Sequence, residues 1–233
     1  MAITAHQLFL SRSPFFQNIF TASPTRSISL PDDDHDAIGC FLQFLYTGEY
    51  FPRIIKNSNG EEHLERESGT FEIDEEGASL LKHARVYTLA ERLGVQELKH
   101  LAHAKIHRIN STAKGELAYA RYVYANTPRE DTTIRNPIAY FWAHRSKLFL
   151  TSWPSKWWCS HKVGHILRHE AEEDFRRMIL EFPQFAYDIL SMVLDQKEKS
   201  VKEKGKEDKD DVDGKGSERI KSGRKRPRLS TFS

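Results

Sequence analysis

Only two cysteines, Cys40 and Cys159, occur in 233 residues. They are too few and too far apart for a disulfide framework, which points to a reducing compartment. No apolar run approaches the ~20 residues needed to cross a bilayer, so no membrane partner is expected. The opening MAITAHQLFLSRS lacks a basic region ahead of a long apolar core and reads as a poor signal peptide. Phosphate-cradling GxxxxGK[ST] and GxGxxG loops are absent, as is a GxSxG nucleophile elbow. The paired CxxC elements of structural zinc sites are missing as well. Nucleotide, acyl-transfer and structural-zinc chemistry therefore lack their residues. Neither catalysis nor a cofactor is expected.

Net charge is also scarce: 35 Lys+Arg stand against 33 Asp+Glu. Residues 195–233 hold 13 basic and 9 acidic residues, which leaves 22 and 24 for residues 1–194. The first 194 residues thus carry no strongly basic face, and direct nucleic-acid binding is not expected. Hydrophobic residues, at 39 %, fall below the usual globular share because the charged tail dilutes them.

What the chain does have is helices with readable ends. In LPDDDHDAIGCFLQFLYTGEY, Asp32 to Asp34 stand where a helix N-terminus offers free N–H groups. Ile38, Phe41, Leu42 and Leu45 recur at helical spacing, and Gly48 can stop the helix in the left-handed conformation. Cys40 falls on this helix and reads as a small buried hydrophobe. Upstream, Ser27 to Leu30 alternates as a short strand would. A second helix starts near Asp74-Glu75-Glu76, with Leu80, Leu81, Ala84, Tyr87, Leu89 and Ala90 inward, and ends at Gly94.

These stretches resemble the BTB/POZ family. SRSPFFQNIF looks like that fold's first helix, ISLPDDD like the strand before its central helix, and FLQFLYTGEY like the helix next in order. ARVYTLAERLGVQELKHLA looks like its late helical hairpin. The resemblance covers residues 5–110. KIHRINSTAKGELAYARYVYAN and RHEAEEDFRRMILEFPQFAYDIL look like the segments downstream of this domain in fungal proteins. The resemblance implies a module that self-associates or recruits partners, in some relatives as an adaptor for a cullin-type ubiquitin ligase. The family's opening strand hairpin has no counterpart ahead of Ser11. That implies either weaker dimerisation or an incorrect gene start. The family's histidine before the first helix aligns with Ala5, so its role is not carried onto His6.

The first-helix region supplies the interface candidates: Leu8, Phe9, Phe15, Phe16, Ile19 and Phe20. Its aromatics exceed what one face of a small domain buries, although Phe15 and Ile19 read equally well as core.

Beyond residue 95 the chain reads as successive helices. Leu98, Leu101, Ala102, Lys105 and Ile106 cluster, Asn110-Ser111-Thr112 makes a break and a new cap, and Asp131-Thr132-Thr133 caps a further helix, with Pro137 tolerated early or bending it. His165 to Glu181 and Phe185 to Asp195 come next, the latter with Tyr187, Leu190, Val193 and Leu194 as its apolar face. Residues 54–72 form a polar connection with Asn-Gly and Ser-Gly turn signals, either a tolerated insertion or a partner-specific surface. Thr70 to Ile73 alternates as a returning strand would.

Residues 146–164 hold Trp153, Trp157 and Trp158 in no clean pattern. A translated intron, core filling and a partner-binding patch all remain open there. His161, His165 and His169 recur every four residues, but the run spans ~12 Å along a helix, too far for one ion. His100, His103 and His107 read as solvated helix positions. Glu170, Glu172, Glu173 and Asp174 pair with Arg168, Arg176 and Arg177 as ordinary surface electrostatics.

The tail has almost no apolar residues and is expected to be disordered. Arg224, Lys225, Arg226 and Arg228 form a compact basic cluster, either a nuclear import signal or a solvated charge run. The expected organisation is a helix-rich α+β chain: a BTB/POZ-like domain at 1–110, an all-α helical region at 111–196 and a disordered charged tail at 197–233. The expected function is protein–protein interaction, with itself and with a cullin scaffold as partners. The alternative is a nuclear regulatory protein imported through its tail. The expected location is nucleus, cytoplasm or both.

Overall fold

The computed structural model of the chain describes residues 3–22, 27–30, 34–65, 73–144 and 172–210. Among these are α1 (Gln7–Leu10), α2 (Pro14–Ala22), α3 (His35–Thr47), β1 (Ile54–Lys56), β2 (Glu62–Leu64), α4 (Ala78–Leu93), α5 (Gln96–Ile106), α6 (Ala113–Asn126), α7 (Thr132–His144), α8 (Glu172–Glu181) and α9 (Pro183–Asp210). Two units are distinguished, residues 1–192 and residues 193–233. The described part of the second is the remainder of α9.

The ends of α3 are set by its sequence. Asp34 is the N-cap, and its Oδ1 accepts from the Ala37 N–H at 3.0 Å. Gly48 ends the helix with φ 75°. The buried face is Ala37, Cys40, Phe41, Phe44 and Leu45, while Ile38 and Leu42 are half-buried. The face expected from spacing is therefore rotated toward Cys40 and Phe44.

Helix α4 is the centre of the first unit and packs against α2, α3, α5 and α6. Leu80, His83, Ala84, Val86, Tyr87, Leu89, Ala90 and Leu93 are all buried, more than one stripe's worth. Its N-terminal amides are held from upstream, since Asp74 Oδ2 accepts from Ser79 N at 2.9 Å and Leu80 N at 3.0 Å. Gly77 between them has φ 78°, and a Cβ there would lie 2.6 Å from the Gly115 carbonyl oxygen. That close approach lets the start of α6 dock on the start of α4. Thr112 caps α6 by accepting from Gly115 N at 3.2 Å.

One continuous core runs across the boundary expected at 110/111. Leu117, Ala120 and Val123 of α6, Ile134 and Ile138 of α7, Met178 of α8 and Phe185 of α9 join the buried residues of α3 to α5. Trp142 lies against Phe175, ring centroids 5.1 Å apart.

Two local expectations are corrected. Residues 27–30 form no strand; they have no regular ladder partner. The polar stretch at 54–72 is not wholly loop, because β1 and β2 pair antiparallel, Ile54 with Leu64 and Lys56 with Glu62, around Asn59-Gly60. The turn signal was real, and the hairpin forms because Asn-Gly closes it. The returning strand expected at Thr70 to Ile73 lies outside the described residues except for Ile73, which is a bend. Helix α9 also extends to Asp210, past the boundary expected at 196. The segment 146–164 and the cluster Arg224 to Arg228 lie outside the described residues.

The α3–α4–α5 layer is tied by a buried cation. Lys105 of α5 is 0 % exposed. Its Nζ donates to the carbonyls of Tyr50 and of Pro52, the latter at 2.7 Å, and sits 2.5 Å from Glu49 Oε1 and 3.6 Å from the centroid of the Tyr50 ring. Tyr50 in turn contacts His83 Nδ1 of α4 through its hydroxyl at 2.8 Å. Burial raises the Tyr50 hydroxyl well above its ordinary pKa, so it stays protonated and donates to that nitrogen.

Lys105→Met is expected to cost about 3 kcal/mol in urea unfolding, the low end for breaking a buried pair because Glu49 keeps some solvent. A loss below about 0.5 kcal/mol would show that the acceptors are readily rehydrated.

His83 gives a pH signature. Burial, then the charges of Lys105 and Lys82, press it from 6.5 to about 3. The folded value lies below the unfolded one, so the unfolded chain takes up more protons in between. This stability is complete above pH 6.5 and is lost as pH falls toward 3, at up to about 1.4 kcal/mol per pH unit. His83→Gln, which keeps an acceptor for Tyr50, is expected to flatten unfolding free energy between pH 6.5 and 4 by up to that slope. Parallel wild-type and variant curves would mean that His83 titrates freely.

Candidate functional site

The first two helices meet at a corner that is pinned from below. Ser13, fully buried, donates from Oγ to the Leu93 carbonyl at 2.6 Å, and Arg12 Nη1 donates to the Leu45 carbonyl at 3.2 Å. Both acceptors belong to the last turns of α3 and α4, whose carbonyls have no intrahelical partner. The corner is therefore fastened by capping chemistry rather than by apolar packing alone.

From that corner α1 lies against α3. Phe9 packs on Tyr46 with ring centroids 4.4 Å apart. The His6 backbone N–H donates to the Tyr46 hydroxyl at 3.0 Å. The same hydroxyl lies 2.7 Å from His6 Nδ1. The hydroxyl oxygen accepts from the backbone, and the direction of its second bond follows the tautomer of the His6 ring. This arrangement holds a short helix with no buried residue of its own on the flank of α3.

The six interface candidates divide by depth. Leu8 is 80 % exposed, and Tyr46 beside Phe9 is 43 % exposed. Phe9, Phe15, Ile19 and Phe20 are half-buried. Phe16, at 4 % exposure, is a core residue and is corrected as such; it stacks on Phe41 at 6.0 Å. The split reflects helical geometry: positions 16 and 20 face α3, which leaves 15 and 19 on the flank. Tyr46 was not singled out from the sequence. The signal was there, since it lies one position past Leu45 and off the buried face of α3.

A second set of exposed apolar side chains comprises Leu180, Tyr187 and Leu190. Tyr187 and Leu190 belong to the apolar residues of their helix, but the buried anchor there is Phe185.

No three His, Cys, Asp or Glu side chains among the described residues converge as a metal-binding group. Burial pushes the Cys40 thiol up, against the smaller opposing pull of Lys82 and Lys105, so it is not an activated nucleophile. No helix among the described residues is long and apolar enough to cross a membrane.

Surface and core roles on the two helices separate by mutation. Phe16→Ala is expected to cost about 3–5 kcal/mol, whereas Leu8→Asp should leave folding stability within about 0.5 kcal/mol of wild type. Chemical denaturation of both variants checks this, and equal losses would place Leu8 in the core.

Residues 1–67 match the family model of the BTB/POZ domain. The match spans α1, α2, α3 and the β1–β2 hairpin. No curated protein and no solved structure matches the chain. The corner of α1 and α2 set on a central helix thus lies within the matched stretch, and the chain carries a BTB/POZ domain, a protein-interaction domain.

Proposed function

We propose that this chain is an adaptor that pairs with a second copy of itself and presents a client to a cullin-type ubiquitin ligase. The observation that carries the reading is Leu8, 80 % exposed on α1 beside the Phe9–Tyr46 contact within the BTB/POZ match. Leaving this side chain in water forgoes roughly 1.5–3 kcal/mol that full burial would contribute. His6 and Gln7, which precede it along the chain, are exposed polar residues, and polar neighbours beside an exposed apolar side chain suit a partner-binding patch. Phe9 of α1 and Phe15, Ile19 and Phe20 of α2 are half-buried.

The test is light scattering on the full chain together with affinity capture. Wild type is expected to be dimeric at roughly tens of micromolar, and Leu8→Asp to raise the dissociation constant at least about tenfold, or about 1.4 kcal/mol. A wild-type chain that stays monomeric at that concentration refutes the pairing. A wild-type chain that dimerises but recovers no cullin scaffold from extract refutes the adaptor role alone.

The basic cluster Arg224, Lys225, Arg226 and Arg228 favours a second reading, a nuclear regulatory protein imported through its tail. A fluorescent fusion lacking residues 224–228 is then expected to lose nuclear signal that the full-length fusion shows. Nuclear signal that survives the deletion removes the tail's role.

A further inference from the structure

We propose that His103 and His107 are a chelating pair for a divalent transition-metal ion of the copper(II) or nickel(II) class, bound through their two Nε2 atoms in cis positions. The two residues are four apart at the end of α5, His107 being its C-cap. Their rings stand at 83° to one another with centroids 4.4 Å apart, and the Nε2 atoms are 3.0 Å apart. Thr133, at the start of α7, brings its carbonyl oxygen to 3.1 Å from His103 Nε2.

The spacing selects the class of ion. Imidazole nitrogens bind at about 2.0–2.1 Å, so a 3.0 Å separation subtends roughly 95° at an ion between them. A tetrahedral ion needs roughly 3.3 Å between ligand atoms at those bond lengths. Right-angled nitrogen and oxygen donors belong instead to square-planar or tetragonal copper(II) and nickel(II). The 3.1 Å to the Thr133 oxygen has the same right-angled spacing.

The protonic alternative is poorly balanced. A neutral imidazole carries one N–H, and its other nitrogen is an acceptor. If His103 Nε2 carries the proton, that single hydrogen must serve both the Thr133 carbonyl and His107 Nε2. If His107 Nε2 carries it, the His103 lone pair faces the Thr133 carbonyl oxygen. An ion in this position gives each of these atoms an acceptor of its lone pair. It also ties α5 to the first turn of α7, next to Asp131, which the Tyr87 hydroxyl already holds from α4 at 3.0 Å.

The experiment uses untagged full-length chain titrated calorimetrically with copper(II) and nickel(II) chloride. Electron paramagnetic resonance of the copper form is recorded alongside. One tight equivalent is expected, with a tetragonal spectrum showing two nitrogen couplings and a raised melting temperature. His103→Gln and His107→Gln are each expected to weaken that equivalent at least about tenfold. Replacing His161, His165 and His169 by alanine is expected to leave it unchanged. Wild-type affinity in either Gln variant, or its loss in the alanine variant, assigns the ion elsewhere and overturns the proposal. Absence of binding at roughly 100 µM overturns it too. Should a Gln variant fail to fold, the wild-type copper spectrum decides alone: fewer than two nitrogen couplings sinks the site.

Discussion

The Lys105 ammonium is shut off from solvent, and an ammonium in that position must find acceptors within the protein. It finds them in the segment that leaves α3, at the carbonyls of Tyr50 and Pro52 and the carboxylate of Glu49. A chain segment that would otherwise be a surface loop is thereby drawn onto α5. The Tyr50 ring is carried inward with it, lies under the charge and reaches His83 of α4. Three helices are thus referenced to one cation, and the β1–β2 hairpin starts from a fixed point. Lys is costly to bury, which is why the acceptors are three and why the aromatic ring joins them.

That anchor sets where the first two helices sit. With α3 fixed against α4 and α5, the last turns of α3 and α4 present their free carbonyls side by side. Ser13 and Arg12 bind those carbonyls and place the α1–α2 corner. Helix α1, four residues long with nothing buried, persists only because Tyr46 and Phe9 hold it. The exposed Leu8 is the consequence, since a helix this short cannot bury both of its sides. The BTB/POZ match ends at residue 67, yet the core continues through α4 to α8 and into the start of α9. The matched stretch depends for its burial on helices outside it.

Local chemistry was readable because it acts over a few residues. Asp34 as cap, Gly48 and Gly94 as stops, and Thr112 as the start of α6 all came from patterns of three or four residues. Cys40 was correctly placed in the interior for the same reason. The hairpin at 54–64 was signalled by Asn-Gly but hidden by the polarity around it. Lys105 was grouped with apolar neighbours by spacing, and nothing in that spacing said its charge would be buried. Asp74 was legible as an acidic residue at the start of α4, but its reach past Gly77 to the Ser79 and Leu80 amides needed the fold.

Sequence by itself determined several helix caps and stops, the near absence of catalytic motifs and the family resemblance, because each rests on neighbours along the chain. Tertiary structure alone decided which apolar residues are core and which are surface. Phe16 and Leu8 have similar hydrophobicity and lie on adjacent helices, yet one stacks on Phe41 and the other faces water. The difference comes from the angle at which the α1–α2 corner is fastened to two helix ends contributed from far along the chain. No window of residues contains that angle.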